Sequence, residues 1–387
     1  MNLLLMHRDI ETCRFIYHNG EVEKMQISNA DHLPLPLKRI LHYEYFENSD
    51  RTLVNEEGRY LLEEWMDDRS IPMNRLSLKL YDYKVSDMLK MHAVSFTDNY
   101  WIKDANAERE LHWKNVNLFH NAKVDPFDRM EENRENRVKY PPINNTLGGT
   151  LEKYWFASEQ GLMLAKRTPI MLDMLNIREV IASNIYKMQG YDNYCNYHYI
   201  TDQHGQKTGC MCKAFTSAER ELITAYDLLA EYGYQQKEDL YEYVKKFAEI
   251  YGCEREKTTK MLDMMTVVDY LITNRDRHQN NIGFIRNPVT LKIIDIAPIF
   301  DSGSSIELEG QFPLGVQNTS VHNLCNTEKE CLDQVENKNC IDISKLPTLE
   351  WIRDEWKKSE NNLSDQKYAG LYEKKLAYWK LMRGVIA

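Results

Sequence analysis

The sequence predicts an α+β protein: a mixed N-terminal segment, then a small lobe with an antiparallel sheet, then a mostly helical lobe. Three observations carry this. Short apolar or alternating runs, broken by Gly- and Asn-containing turns, fill residues 1–28 and 153–213. Beyond 216 the apolar residues recur at three- and four-residue spacing, the period of buried helix faces. Between these regions, "PFDRMEENRENRVKYPP" (126–142) mixes charges and ends in two prolines, the composition of a connector. The boundaries that follow are 1–140, 141–215 and 216–387.

Taken in order, "NLLLMH" and "TCRFIYHNGEVEKMQI" read as strands, the second folding back at "HNGE" because Asn-Gly accepts the backbone that a tight hairpin needs. Residues 56–69 ("EEGRYLLEEWMDDR") and 82–94 ("DYKVSDMLKMHAV") carry helical apolar spacing. "SFTDNYWIKD" reads as an aromatic-rich connection, with Tyr100 and Trp101 as core or packing residues. A turn-rich loop, "NNTLGGT", opens strands at 153–158 and 161–167 joined by "SEQG". A helix over "NIREVIASNIYKMQGY" and two strands around "DQHGQ" complete the sheet lobe.

The helical lobe opens with "TSAERELITAYDLLAEYG", where Thr216 and Glu219 have capping-box spacing and Gly233 marks the end. "KEDLYEYVKKFAEIYG" and "EREKTTKMLDMMTVVDYLI" follow as amphipathic helices. A short hairpin, "NIGFI" with "LKIIDI", interrupts them, and helices at about 348–360 and 364–383 close the chain.

At 387 residues the chain is long enough for a two-lobed enzyme. Its formal charge of −10 argues against direct nucleic-acid binding. "MNLLLMHRD" is too short for a signal-peptide core and no membrane span is visible, so a cytoplasmic protein is expected. The eight cysteines fit that compartment, because they are scattered and not regularly paired. Cys210 and Cys212 would share one strand face as a metal pair, but no Cys/His pair follows closely, which favours two small buried residues.

The chemistry is concentrated in "YLITNRDRHQNNIGFI", where a helix empties into a polar loop and a strand follows at once. Asp276, His278 and Asn281 lie within six residues, and Asp301 follows twenty-five residues after Asp276, a hairpin's length. A hairpin returns near its start, so Asp276, Asn281 and Asp301 converge. Phosphoryl transfer uses such a set: one carboxylate orients and deprotonates a hydroxyl, while a second carboxylate and an amide oxygen hold Mg²⁺. His278 is expected to brace the loop by hydrogen bonding.

"NRDRHQNN" followed by "APIFDSG" resembles the catalytic and metal-binding loops of HipA-type serine/threonine kinases, and the Asp-Arg-His-x-x-Asn pattern also resembles phosphoinositide-3-kinase-like enzymes. "NNTLGGTLEK" looks like the HipA-type glycine loop. The resemblance spans about 143–305 and implies a bilobal protein-kinase-like fold, with a small mixed N-lobe and a helical C-lobe, using ATP and Mg²⁺. It implies that Asp276 is the catalytic aspartate and that Asn281 and Asp301 are the magnesium ligands. It places Thr146, Gly148 and Gly149 in the nucleotide loop, Lys166 on the α- and β-phosphates with Glu179 as its ion-pair partner, and Phe215, within "KAFTS" (213–217), at the adenine hinge. Lys153, which ends the loop motif, competes for the phosphate contact. Lys166 is preferred for its place in the second strand.

Thr146 also stands where such kinases carry an autophosphorylated serine. The implied partners are a protein with a Ser/Thr acceptor and, as in toxin–antitoxin pairs, a separate antitoxin-like regulator. The chain departs from ordinary protein kinases in having adjacent glycines for G-x-G-x-x-G and no His-Arg-Asp loop. A small-molecule or lipid kinase, and a catalytically idle binding module of the same fold, remain alternatives.

Overall fold

A computed structural model gives the structure of residues 1–70, 85–122, 146, 152–167, 173–202, 204–234, 239–303, 324–359 and 365–384. The connector expected at 126–142, and Gly148 and Gly149, lie outside the described residues. The strands along the chain are β1 (Asn2–His7), β2 (Ile10–His18), β3 (Glu21–Ile27), β4 (Leu53–Val54), β5 (Tyr100–Asp104), β6 (Glu152–Ser158), β7 (Gly161–Arg167), β8 (His198–Thr201), β9 (Lys207–Lys213), β10 (Glu221–Thr224), β11 (Gly283–Arg286) and β12 (Ile293–Ile296). The helices are α1 (Leu35–His42), α2 (Glu56–Arg69), α3 (Val85–Lys90), α4 (Trp113–Val116), α5 (Leu118–Asn121), α6 (Met174–Met188), α7 (Ala225–Glu231), α8 (Leu240–Ile250), α9 (Arg255–Ile272), α10 (Glu328–Asp333), α11 (Leu349–Trp356) and α12 (Asp365–Met382). The chain divides into two compact units, Met1–Leu164 with Ala214–Gln235 and Ile285–Ile294, and Ala165–Lys213 with Gln236–Phe284 and Asp295–Ala387.

The first unit is built on an antiparallel sheet of order β4-β3-β2-β1-β5. The β2–β3 turn places Asn19 at φ 52° and Gly20 at φ 98°, the two positive values that make Asn-Gly the favoured pair. One face is covered along β1, β2, β3 and β5, and the other over β1 and β5. Leu3, Leu5, Phe15, Tyr100 and Ile102 pack with Leu37, Leu62, Met66 and Met88 of α1 to α3. Met6 and Trp101 pack on the other side with Phe96, Trp113, Leu118 and Trp155. The expected connection at Tyr100–Asp104 is therefore a strand, paired with β1.

Two expected helices are shorter than their apolar spacing suggested. His92 (φ 60°) and Ala93 (φ 52°) leave the helical region, and α3 ends at Lys90, ahead of the expected end at residue 94. The helix expected from Thr216 begins at Ala225, capped by Thr224 with Asp227 in a capping box. Thr216 Oγ1 instead donates to the Phe96 carbonyl (2.6 Å), and Leu222 N donates to the Thr97 carbonyl (2.7 Å). Tertiary pairing draws 221–224 into a strand.

That strand carries Glu221 into a closed ionic cluster. Arg286 Nε donates to Glu221 Oε1 (2.6 Å) and Arg286 Nη2 to Tyr100 Oη (2.9 Å). His7 Nε2 lies 3.2 Å from Glu221 Oε2, and Asn99 Nδ2 donates to the same oxygen at 3.2 Å. Burial alone would raise the Glu221 pKa, but the Arg286 and His7 charges outweigh it and hold the carboxyl well below the usual range.

In the second unit the end of β7, then β9 and β8, lie side by side, with β8 and β9 antiparallel. The apolar α9 packs against α6, α8, α10 and α12. Cys210 and Cys212 are buried, and among the described residues no group of three or more acidic, His or Cys side chains is placed to hold a metal. Two of the scattered cysteines, Cys325 and Cys331, form a disulfide. No helix among the described residues is long and apolar enough to cross a membrane.

Candidate active site

The site is assembled where α9 stops. Thr273 takes a left-handed conformation (φ 58°), and Asn274 N donates to the Asp269 carbonyl (2.8 Å), so the chain leaves the helix axis as a polar loop. Asp276 lies in this loop, half-buried, its backbone N–H donating to Asn274 Oδ1 (3.1 Å). His278 opens the 3₁₀ turn Gln279–Asn281, and its carbonyl accepts from Asn281 N (2.9 Å). Asn281 Nδ2 donates to the Asp276 carbonyl (3.3 Å), leaving the amide oxygen as the donor atom for a cation.

Arg277 holds this loop to the segment after β12. Its guanidinium grips Asp269 in a two-point pair, Nε to Oδ2 at 2.7 Å and Nη2 to Oδ1 at 3.0 Å. Nη1 donates to the carbonyls of Asn281 (2.8 Å) and Phe300 (2.6 Å), and Nη2 reaches Ser302 Oγ (3.1 Å). Both Arg277 and Asp269 are buried. One fork-shaped cation thus fixes the Asp276–Asn281 turn and the Asp301 segment to each other, which a lysine could not do.

Lys166, Glu179 and Asp301 meet in the same unit. Lys166 Nζ donates to Asp301 Oδ1 (2.6 Å) and to Glu179 Oε1, while Glu179 Oε2 accepts from Ser302 N (2.9 Å). Burial alone would lower the Lys166 pKa, but the Asp301 and Glu179 carboxylates outweigh it and hold the ammonium charged far above the ordinary lysine range. Asp301 has φ 56°, a left-handed backbone that costs about 1 kcal/mol or more outside glycine and is held by these neighbours.

Two glycines keep the backbones this close. A Cβ on Gly303 would sit 2.7 Å from the Leu175 carbonyl oxygen, and one on Gly209 would collide with the Lys166 carbonyl oxygen. Gly209→Ala is expected to push β9 from β7, lowering stability by about 1–3 kcal/mol and displacing Lys166. Thermal unfolding checks this; an unchanged midpoint would show that β7 and β9 tolerate the added methyl group.

Of the other residues named from sequence, Thr146 (φ 69°) joins a hydroxyl cluster, 2.6 Å from Ser95 Oγ and 2.5 Å from Thr97 Oγ1. Lys153 is half-buried in β6, and Phe215 is half-buried just after β9. Sequence reasoning missed Arg277, Asp269, Ser302 and Gly209. One signal was present: Asp269 stands alone inside the apolar "TVVDYLI", and a buried carboxylate there requires a cationic partner.

Compared with solved structures, the chain aligns over 98% of its length with 97% of the HipA chain of the Shewanella oneidensis MR-1 toxin–antitoxin system, solved with HipB and operator DNA, at TM-score 0.51 and 12% identity. The chain has the HipA-type kinase fold. A Helicobacter pylori proinflammatory kinase, CtkA, matches over 60% of this chain and 88% of its own, at 20% identity and TM-score 0.41. No family model and no curated protein matches the chain. In the HipA-type fold, an α+β architecture with antiparallel sheets, the polar loop after α9 and the Asp301 segment are the elements that Arg277 unites.

Proposed function

We propose that this protein is a HipA-like, ATP- and Mg²⁺-dependent kinase that transfers the γ-phosphate of ATP to a serine or threonine hydroxyl of another protein. The observation that carries the reading is the single buried Arg277, which binds the Asp276–Asn281 turn and the Asp301 segment into one unit beside the Lys166–Glu179 pair. Asp276 orients the acceptor hydroxyl and takes its proton. Lys166, kept charged, binds phosphate oxygens, and Glu179 fixes its position. The hard oxygens of Asp301 and Asn281 fit Mg²⁺, which would supply charge neutralisation at the phosphates. Lys153 is the alternative to Lys166 as phosphate contact, and Gly148, Gly149 and Phe215 are further nucleotide contacts that the HipA-type resemblance assigns. A cytoplasmic location and a separate antitoxin-like regulator, comparable to HipB in the Shewanella assembly, complete the reading.

Autophosphorylation at Thr146 belongs to the same proposal, and requires its hydroxyl to leave Ser95 and Thr97. A phosphate there adds up to about two negative charges, which the nucleotide phosphates would repel.

The test pairs Asp276→Asn with Asp301→Asn. Asp276→Asn should keep Mg-nucleotide affinity within about twofold while lowering transfer by about 10²–10⁴. Asp301→Asn should lose the Mg²⁺-dependent part of nucleotide binding. Calorimetry and phosphoamino-acid analysis read the two effects. Wild-type transfer by both variants would refute the assignment, and ATP turnover without protein phosphate would favour a small-molecule or lipid acceptor.

A further inference from the structure

The geometry points to a thiol-oxidation site: Cys325 and Cys331 form a reversible disulfide strap that sets the rigidity of the catalytic loop. The bond closes a short ring around the start of α10, a helix of six residues that is too short to persist on its own. Inside that ring Thr327 Oγ1 accepts from Glu330 N (3.1 Å), and Asn326 N donates to Glu330 Oε2 (2.8 Å). Glu328, also inside the ring, accepts from the buried Lys375 Nζ at 2.5 Å.

The ring faces the chemistry across a small cavity of about 30 Å³, room for one or two waters. Leu324, Glu328 and Cys331 line it together with Asn274, Arg275 and Arg277. In that wall Glu328 is held through Oε1 by Lys375, while Tyr270 Oη and Glu328 Oε2 are buried without a hydrogen-bond partner. Asn274 is one hydrogen bond from Asp276 N, so a change in this wall reaches the proposed base directly.

The chemistry is selective. Cys13 and Cys340 are pushed up to about 12, and the Cys195, Cys210 and Cys253 thiols are also raised, each with burial among its causes and hydrogen bonding to Cys212 leading at Cys195. Such thiols carry little thiolate and react slowly; within the pair Cys325 is buried and Cys331 half-buried, so Cys331 is the more open of the two. In oxidation, one thiolate of the pair attacks a low-molecular-weight disulfide, releasing one thiol and forming a mixed disulfide. The second thiolate then displaces the other thiol, so two electrons and two protons leave with the two small thiols. In a reducing compartment a bond of this kind is transient and regulatory.

The effect on phosphate transfer rests on the kinase reading; the structural coupling does not. The full chain is equilibrated in oxidised or reduced glutathione, then read by alkylation mass, hydrogen exchange and transfer from Mg-ATP. Reduction should speed exchange at 324–333 and at 270–277 by about three- to tenfold, because the closed ring no longer suppresses local opening. Transfer should fall by a similar factor. Cys331→Ser and, independently, Cys325→Ser should behave as the reduced protein in both buffers, while Cys340→Ser should respond like wild type. No disulfide in the oxidised sample, or equal exchange at 270–277 in both states, overturns the strap. Redox-dependent exchange without any transfer would support the strap and count against the kinase reading.

Discussion

Arg277→Leu is expected to abolish detectable phosphate transfer and to destabilise the protein by about 3–5 kcal/mol, because it strands the buried Asp269 carboxylate. The loss has two separable parts. Stability depends on the ion pair, so adding Asp269→Leu should restore most of it, since an apolar pair of similar volume is often neutral. On the proposed kinase reading, activity depends on the donors to the Asn281 and Phe300 carbonyls and to Ser302, which no leucine supplies. The double variant should therefore unfold near the wild-type urea midpoint and remain inactive. Arg277→Lys should also stay inactive, because an ammonium cannot reproduce the fork. An active double variant would show that Arg277 serves the fold and not the site.

Arg286→Leu should cost about 3–5 kcal/mol in the same way, by leaving Glu221 buried with only His7 and Asn99. Glu221 also sets a pH dependence. Its folded-state pKa lies below its unfolded value of 4.5, so its contribution is fully present above that value. The contribution is lost progressively as pH falls from about 5 toward the folded pKa, since the unfolded chain takes up the proton first. Urea midpoints measured between about pH 3 and pH 7 should fall on the acid side for wild type and fall less steeply for Glu221→Gln. Equal acid slopes would remove Glu221 from the account.

Much of this protein was legible wherever local chemistry and tertiary packing agree. The α2 helix runs over the expected 56–69, capped by Asn55, and the Asn19-Gly20 hairpin follows from turn chemistry alone. Failures came where long-range contacts decide. Tyr100–Asp104 shows no polar–apolar alternation because both faces of that strand are buried, Tyr100 and Ile102 in one core and Trp101 in the other. The Thr216–Glu219 pair has capping-box spacing, yet Thr216 is claimed by the Phe96 carbonyl and the helix starts nine residues later.

Lys166 and Glu179, which the family resemblance paired, lie in contact, and Asp301 joins them. What joins the site was not legible. Arg277 looks like one more charge in a polar loop, and its partners are a helix carboxylate eight residues upstream and carbonyls at 281 and 300. The Cys325–Cys331 bond was equally hidden, because six-residue spacing signals nothing without the turn into α10.

The central claim, that the Asp276 loop and the Asp301 segment form one phosphotransfer site, is tested most directly by intact mass. Wild-type protein and Asp276→Asn are incubated with Mg-ATP and a generic Ser/Thr-rich protein, beside a metal-free control. The account predicts that only wild type with Mg²⁺ adds phosphate, to itself or to the acceptor, and that the phosphate maps to Ser or Thr. Equal phosphate gain in Asp276→Asn, or gain without metal, would contradict it.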